Sequence, residues 1–240
     1  GGQLRCRYVL GRMLFGTNRL PEAEQEFRTA LSIAEHTGDR VVTGEILNAL
    51  AVVVGRLRRH EEALSWYEAA RRAYGEIGAT AGEGLVLSYS AREYLALRRP
   101  ADAIRAAERG LAIFTEIGSA AGIARARYHL GVVLSQVGRF TEALAHHTEC
   151  LASFRASRQR VWEQRVCVRL AETFVRVERF ADAVHHAEQA LTVSREIGHQ
   201  YGEAQSYTVL GKALAGLGDT RGSEEALRRA YDLFRLLGVP

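Results

Sequence analysis

The residues of this 240-residue chain best equipped for chemistry are two adjacent histidine pairs, His146-His147 and His185-His186, and three cysteines, Cys6, Cys150 and Cys167. Histidine and cysteine ligate zinc and serve as general bases and nucleophiles. Their spacing argues against both uses. Neighbouring residues on a helix point in different directions, so neither histidine pair chelates by itself. A zinc site needs three or four ligands, and no third accompanies either pair. His146 and His186 share a column in successive repeats, and His147 falls in a column that packs helices together. The cysteines are odd in number and lack metal-site spacing, so Cys150 and Cys167 read as small buried hydrophobes of a reducing, cytoplasmic protein. The chain has no glycine-rich phosphate loop, nucleophile elbow or paired-histidine zinc helix. It reads as non-enzymatic, with no metal or cofactor. What stands out instead is arginine: of 32 basic residues all but Lys212 are arginine, in a chain of net charge plus four.

The elements that position these side chains repeat. "GRFTEAL" at 138–144 returns as "ERFADAV" at 178–184, and "RRPADAI" at 98–104, "RRHEEAL" at 58–64 and "NRLPEAE" at 18–24 precede it. A worn copy, "GDTRGSE", lies at 218–224, so six units of forty residues fill the chain: 1–40, 41–80, 81–120, 121–160, 161–200 and 201–240. A period of this length marks a stacked repeat. Position 11 of each unit is always small (Gly11, Ala51, Ala91, Gly131, Ala171, Gly211), and so are position 23 (Ala23 to Ser223) and position 30 (Ala30 to Ala230). Apolar residues at positions 7, 10, 14 and 17 keep the spacing of one helical face. A second helix starts near position 21, with Pro21 and Pro100 at the turn and acids such as Glu22, Glu62 and Asp102 just after it. Glycine at position 38 closes that helix in five units. Arg158 stands there in the fourth, so an irregular turn is expected before 161. Each unit is therefore a tight helical hairpin.

Leu-Gly/Ala-x-x-large, then Gly-Arg-Phe-x-Glu-Ala, then Ala seven residues on, resembles the tetratricopeptide repeat (TPR), over the whole chain. The forty-residue period is similar to the longer subclass of that family. The usual tryptophan of the first helix is replaced by Arg7, Leu47, Leu87, Arg127, Cys167 and Tyr207. The resemblance implies an all-α, right-handed superhelical solenoid of six helix-turn-helix repeats, forming a single domain over 1–240 whose units touch only their neighbours.

Positions 5, 8, 12 and 15 form a stripe opposite the packing stripe. By resemblance to the family, this stripe and position 16 line a concave groove that binds peptide. Its basic members are Arg5, Arg12, Arg56, Arg92, Arg125, Arg165, Arg176 and Lys212, against Glu45 and Glu172. Eight cations against two anions leave plus six, more than the plus four of the whole chain. Such clustering favours an acidic, extended peptide or protein segment. Tyr8, Phe15 and Tyr128 add flat surface, and Asn48 occupies the column where the subclass places an asparagine against peptide backbone. A second basic column, Arg19, Arg59, Arg99, Arg139 and Arg179, is expected to hydrogen-bond the free carbonyls ending each first helix. It keeps nucleic acid in view as an alternative partner, although no aromatic recurs at one base-reading column.

Hydrophobic residues at 47% and charged residues at 25% suit a folded chain, and no apolar run is long enough to span a bilayer. The chain begins Gly1-Gly2 and is read as a piece of a longer protein. Its arginine bias resembles that of bacteria with GC-rich genomes. There, arrays like this often end multidomain regulators that carry a DNA-binding or nucleoside-triphosphatase module. The implied role is ligand sensing or autoinhibition in a transcriptional or signalling regulator, against the alternative of an assembly scaffold. The last helix carries Leu227, Tyr231, Leu233, Phe234, Leu236 and Leu237. Of these, Tyr231, Phe234 and Leu237 are expected to face outward, toward other parts of the parent chain or a second copy.

Overall fold

The computed structural model describes residues 2–239. Among them are twelve α-helices: α1 (Gly2–Gly16), α2 (Leu20–Thr37), α3 (Arg40–Arg56), α4 (His60–Glu76), α5 (Thr80–Ala96), α6 (Pro100–Glu116), α7 (Ala120–Gln136), α8 (Phe140–Ala156), α9 (Arg160–Arg176), α10 (Phe180–Glu196), α11 (Gln200–Gly216) and α12 (Thr220–Leu236). They follow one another along the chain, and the fold is all-α.

The helices divide between two compact units, residues 1–133 and 134–240, with α7 crossing the boundary. In the first, α1 pairs with α2, α3 with α4 and α5 with α6, while α2 packs on α3 and α4 on α5. In the second, α8 packs on α9, α9 pairs with α10 and α11 with α12, and α10 packs on α11. All eighteen residues of the three small columns are buried. Their size sets how closely the paired helices cross. At Gly11 and Gly211 a methyl group would collide with Phe27 and with Leu227, the large side chains that fill the crossing.

One turn joins every pair. After α1, Asn18 adopts φ 60°, its N–H donates to Phe15 O at 3.1 Å, and Arg19 N–H donates to Leu14 O at 2.9 Å. These bonds satisfy carbonyls that no later residue of the helix could reach. The same left-handed residue recurs as Arg58, Arg98, Glu178, Gly138 and Gly218. The irregular turn expected at Arg158 is not found. Arg158 takes φ 52°, and Gln159 N–H donates to Phe154 O at 2.9 Å, as in the other turns. The packing of α8 on α9 and this bond pair hold the geometry, so arginine accepts a conformation that glycine adopts without strain.

A second expectation needs correcting. The arginines at position 19 are exposed, and among the described residues Arg19, Arg59, Arg99 and Arg179 bond to acids rather than to helix-end carbonyls. Each reaches forward to the acid three residues on: Arg19 Nε donates to Glu22 at 3.0 Å, Arg59 to Glu62 at 2.7 Å, Arg99 to Asp102 at 2.7 Å, Arg139 to Glu142 at 2.6 Å and Arg179 to Asp182 at 2.8 Å. Backbone bonds already occupy those carbonyls, and the first-turn carboxylate is the stronger acceptor. At the far end, Tyr231 is exposed as expected. Phe234, however, is half-buried against Tyr201, with ring centroids 5.7 Å apart, and Leu236 is exposed instead.

Candidate functional site

The stripe at positions 5, 8, 12 and 15 lies on the first helix of each pair. In residues 1–133 it builds up from α1 and α3. Tyr8 is half-buried against Phe27, with centroids 5.8 Å apart, and Arg12 lies 6.0 Å over its ring. Burial and then the nearby Glu45 carboxylate raise the Tyr8 phenol above its usual range, with Arg12 partly opposing them. Burial, Glu45 and Tyr8 raise Tyr74 in the same way. Tyr8 therefore remains a neutral hydroxyl.

Asn48, one helical turn beyond Glu45, is half-buried, and its Oδ1 is buried without a hydrogen-bond donor. A buried carbonyl oxygen left in this state costs about 1–3 kcal/mol, so the site favours anything that brings an N–H to it. Arg56 ends α3 on Phe15, 5.5 Å from the ring, and reaches Asn18 Oδ1 at 3.4 Å. Arg5 and Arg92 are exposed, while Arg125 is half-buried with an unpartnered Nε. Tyr128 is buried edge-on to His129 and offers a partner little surface.

In residues 134–240, Arg165 lies 5.1 Å over Trp162, which stacks on Phe154. Arg176 donates to the Ser135 carbonyl at 2.9 Å, so part of its donor capacity is already committed. Lys212 is exposed, and Glu172 is held by Arg169 at 2.6 Å.

The electrostatic contrast lies in the pairing. Among the described residues, none of the eight basic stripe side chains forms an ion pair, whereas all five turn arginines do. The stripe cations are thus unneutralised. Cys150 and Cys167 are buried and free, and burial pushes the Cys167 thiol up to about 11, so it is not a nucleophile. Among the described residues no group of three or more His, Cys, Asp or Glu side chains could hold a metal ion. No described helix is long and apolar enough to cross a membrane.

One polar cluster escaped the sequence reading. Glu93 is buried beside Arg92, and its carboxylate lies 2.6 Å from His60 Nδ1. Space for it comes from Gly55, where a methyl group would collide with the Glu93 carboxylate. The signal was a coupled exception: Glu93 stands in a column that holds Val53 and Val133, opposite a column of Phe15, Gly55 and Leu95. Thr173 repeats the coupling, bonded to Ser135 at 3.0 Å.

Helices of similar length, columns of small buried residues and one recurring turn define a helical-hairpin repeat protein whose exposed chemistry is basic. The chain belongs to the tetratricopeptide repeat family, whose model matches residues 4–76, 84–156 and 165–235. It is similar to the regulatory protein AfsR of Streptomyces griseus, 32% identical over 238 residues, covering 99% of this chain and 23% of that protein. AfsR of Streptomyces coelicolor is 33% identical over 230 residues, covering 96% of this chain and 23% of that one. The chain thus spans under a quarter of the length of these relatives. Among solved structures it is similar to a Rap protein complexed with competence and sporulation factor (TM-score 0.79, 14% identity, 98% of this chain and 76% of that one). It is also similar to a signal transduction ATPase with numerous domains and a TPR sensor from Pyrococcus horikoshii (TM-score 0.69, 14% identity, 98% of this chain and 39% of that one).

Proposed function

We propose that this chain is a peptide- or protein-binding domain, the ligand-sensing or autoinhibitory part of a bacterial transcriptional or signalling regulator that works in the cytoplasm. It performs no catalysis itself. The observation that carries the reading is the unneutralised stripe of residues 1–133, where Arg5, Arg12, Arg56, Arg92 and Arg125 face Glu45 as the only acid. An extended acidic segment fits it. Its carboxylates would pair with the arginines, and a backbone N–H would reach the vacant Oδ1 of Asn48. The regulatory half of the reading is supported by the names of the relatives, by the TPR sensor and by the Rap protein complexed with competence and sporulation factor among the structural neighbours.

Isothermal calorimetry with a set of extended Asp/Glu-rich peptides and their Asn/Gln counterparts tests the reading. The acidic members are expected to bind and the neutral ones to bind at least tenfold more weakly. Equal binding of both sets, or tighter and salt-steep binding of an unrelated oligonucleotide, would overturn it.

A further inference from the structure

We infer that Phe15 and Asn18 are positioning residues for Arg56, holding it as an ordered guanidinium that grips a ligand carboxylate through two parallel N–H bonds. The inference rests on the acidic segment proposed above and goes beyond it: recognition at this point depends on the shape of the cation as well as on its charge. Phe15 lies near the end of α1, Asn18 in the turn after it, and Arg56 ends α3 in the next hairpin. Two contacts cross between these hairpins. The Arg56 guanidinium lies over the Phe15 ring, 5.5 Å from its centroid, and its Nη2 donates to Asn18 Oδ1 at 3.4 Å. The ring restrains the plane of the group, and the amide oxygen restrains its rotation within that plane.

Each holder is itself fixed. Phe15 is half-buried and packs on the core of residues 1–133. Asn18 takes φ 60°, and its N–H donates to Phe15 O at 3.1 Å. Asparagine accepts that conformation more readily than most residues, so one residue supplies both the turn and the acceptor. Arg56 nevertheless stays exposed, and among the described residues it forms no ion pair. A guanidinium carries five N–H donors and Asn18 takes one, so four remain for a ligand. A long side chain ordinarily loses rotamer freedom when it binds, and here most of that loss has already occurred in the free protein. The other stripe arginines of this unit are held less. Arg12 lies 6.0 Å from the centroid of Tyr8 on its own helix, and among the described residues Arg92 has neither a ring nor a hydrogen bond. Lysine at position 56 would keep the charge and lose the planar fork, so charge and geometry can be separated.

Two measurements test this. In the free protein, nuclear magnetic relaxation of the arginine Nε groups should show Arg56 ordered and Arg92 mobile on the picosecond-to-nanosecond timescale. Phe15→Leu and Asn18→Gly should each release Arg56. Asn18→Gly keeps the turn, because Gly138 and Gly218 take the left-handed conformation at the same position. An Arg56 Nε as mobile as that of Arg92 would overturn the inference. Calorimetry with the Asp/Glu-rich peptides then reads the consequence. Phe15→Leu and Asn18→Gly should each weaken binding about two- to fivefold. Arg56→Lys should weaken it about tenfold, with the salt dependence of wild type. Combined with Arg56→Lys, neither change should weaken binding further, because both act through the guanidinium. Losses that simply add would overturn the inference. If all three variants bind like wild type while acidic peptides still outbind their neutral counterparts, the inference falls and the proposed function stands. If no acidic peptide outbinds its neutral counterpart on wild type, both fall.

Discussion

His186 and His199, both in residues 134–240, sit where a positive charge is disfavoured. Burial lowers the pKa of each. His185 and then Arg155 add to the effect at His186, and Arg165 adds to it at His199. An unfolded histidine titrates near pH 6.5, so the folded state binds fewer protons just below that value. The stability these groups contribute is therefore present above about pH 6.5 and lost as pH falls through their folded pKa values. Thermal melts from pH 7.5 to 5.5 should show a falling Tm, and the double variant His186→Gln, His199→Asn should flatten that slope. An unchanged slope would place the acid sensitivity elsewhere. Asn suits position 199 because His199 precedes α11 without capping it, whereas Asp39 and Asp219 cap their helices through their own side chains. Asn48 makes a second test at this scale. Its column pointed to peptide contact, but the orphaned oxygen follows from how α3 is packed, which no column of letters records. Asn48→Ala should leave the fold intact and weaken acidic-peptide binding roughly five- to tenfold, the cost of one unmade hydrogen bond. Calorimetric affinities equal to wild type would remove Asn48 from the site.

Among the elements, the helices were the most legible part of the chain, because one physical requirement wrote each column. Close crossings demand small residues, so Ala23, Ala63, Ala103, Ala143 and Ala183 set the register from sequence alone. Replacing Ala183 with leucine should overpack the α9–α10 crossing and cost about 1–3 kcal/mol, read by urea denaturation. Wild-type stability in that variant would show that the crossing has spare room. The turns were less legible. Glycine advertised the left-handed residue at position 38, and Asn18 tolerates it, yet Arg58, Arg98, Arg158 and Glu178 adopt it with side chains that give no such signal. Tertiary packing imposes the conformation and the local sequence bears the strain. Arg158→Gly should therefore stabilise residues 134–240 by about 1 kcal/mol, the left-handed penalty less the entropy glycine adds to the unfolded chain. A loss of stability on that change would mean that the Arg158 side chain contributes more than its backbone strain removes. Phe234 was misplaced for a related reason. Periodicity gives the face of a helix, but the ring's contact with Tyr201 depends on the crossing geometry of α11 and α12.

For the molecule as a whole, the useful quantity is how its charge is partitioned. The turn arginines are each spent on a neighbouring acid, and exposed pairs of this kind contribute little to stability. Among the described residues the stripe cations have no such partner, so their field extends into solvent and is screened by salt. That partition was half legible. The excess of cations on the stripe can be counted in the sequence, but pairing across hairpins, such as Arg59 with Glu24 and Arg28 with Glu62, emerges only when the hairpins stack. The two sets of arginines should therefore respond differently to reversal. Arg56→Glu or Arg92→Glu removes a free positive charge and adds a negative one beside an acidic ligand. Either should slow association several-fold and flatten its dependence on ionic strength, with a smaller effect on dissociation. Arg139→Glu breaks an exposed pair with Glu142 on the turn edge, and it should leave both rates near wild type. Stopped-flow association of a fluorescent acidic peptide at low and high salt, on the order of 50 and 300 mM, separates the cases. If Arg139→Glu abolishes binding while the stripe variants associate normally, the partner docks on the turn edge and the stripe is only a solvated face.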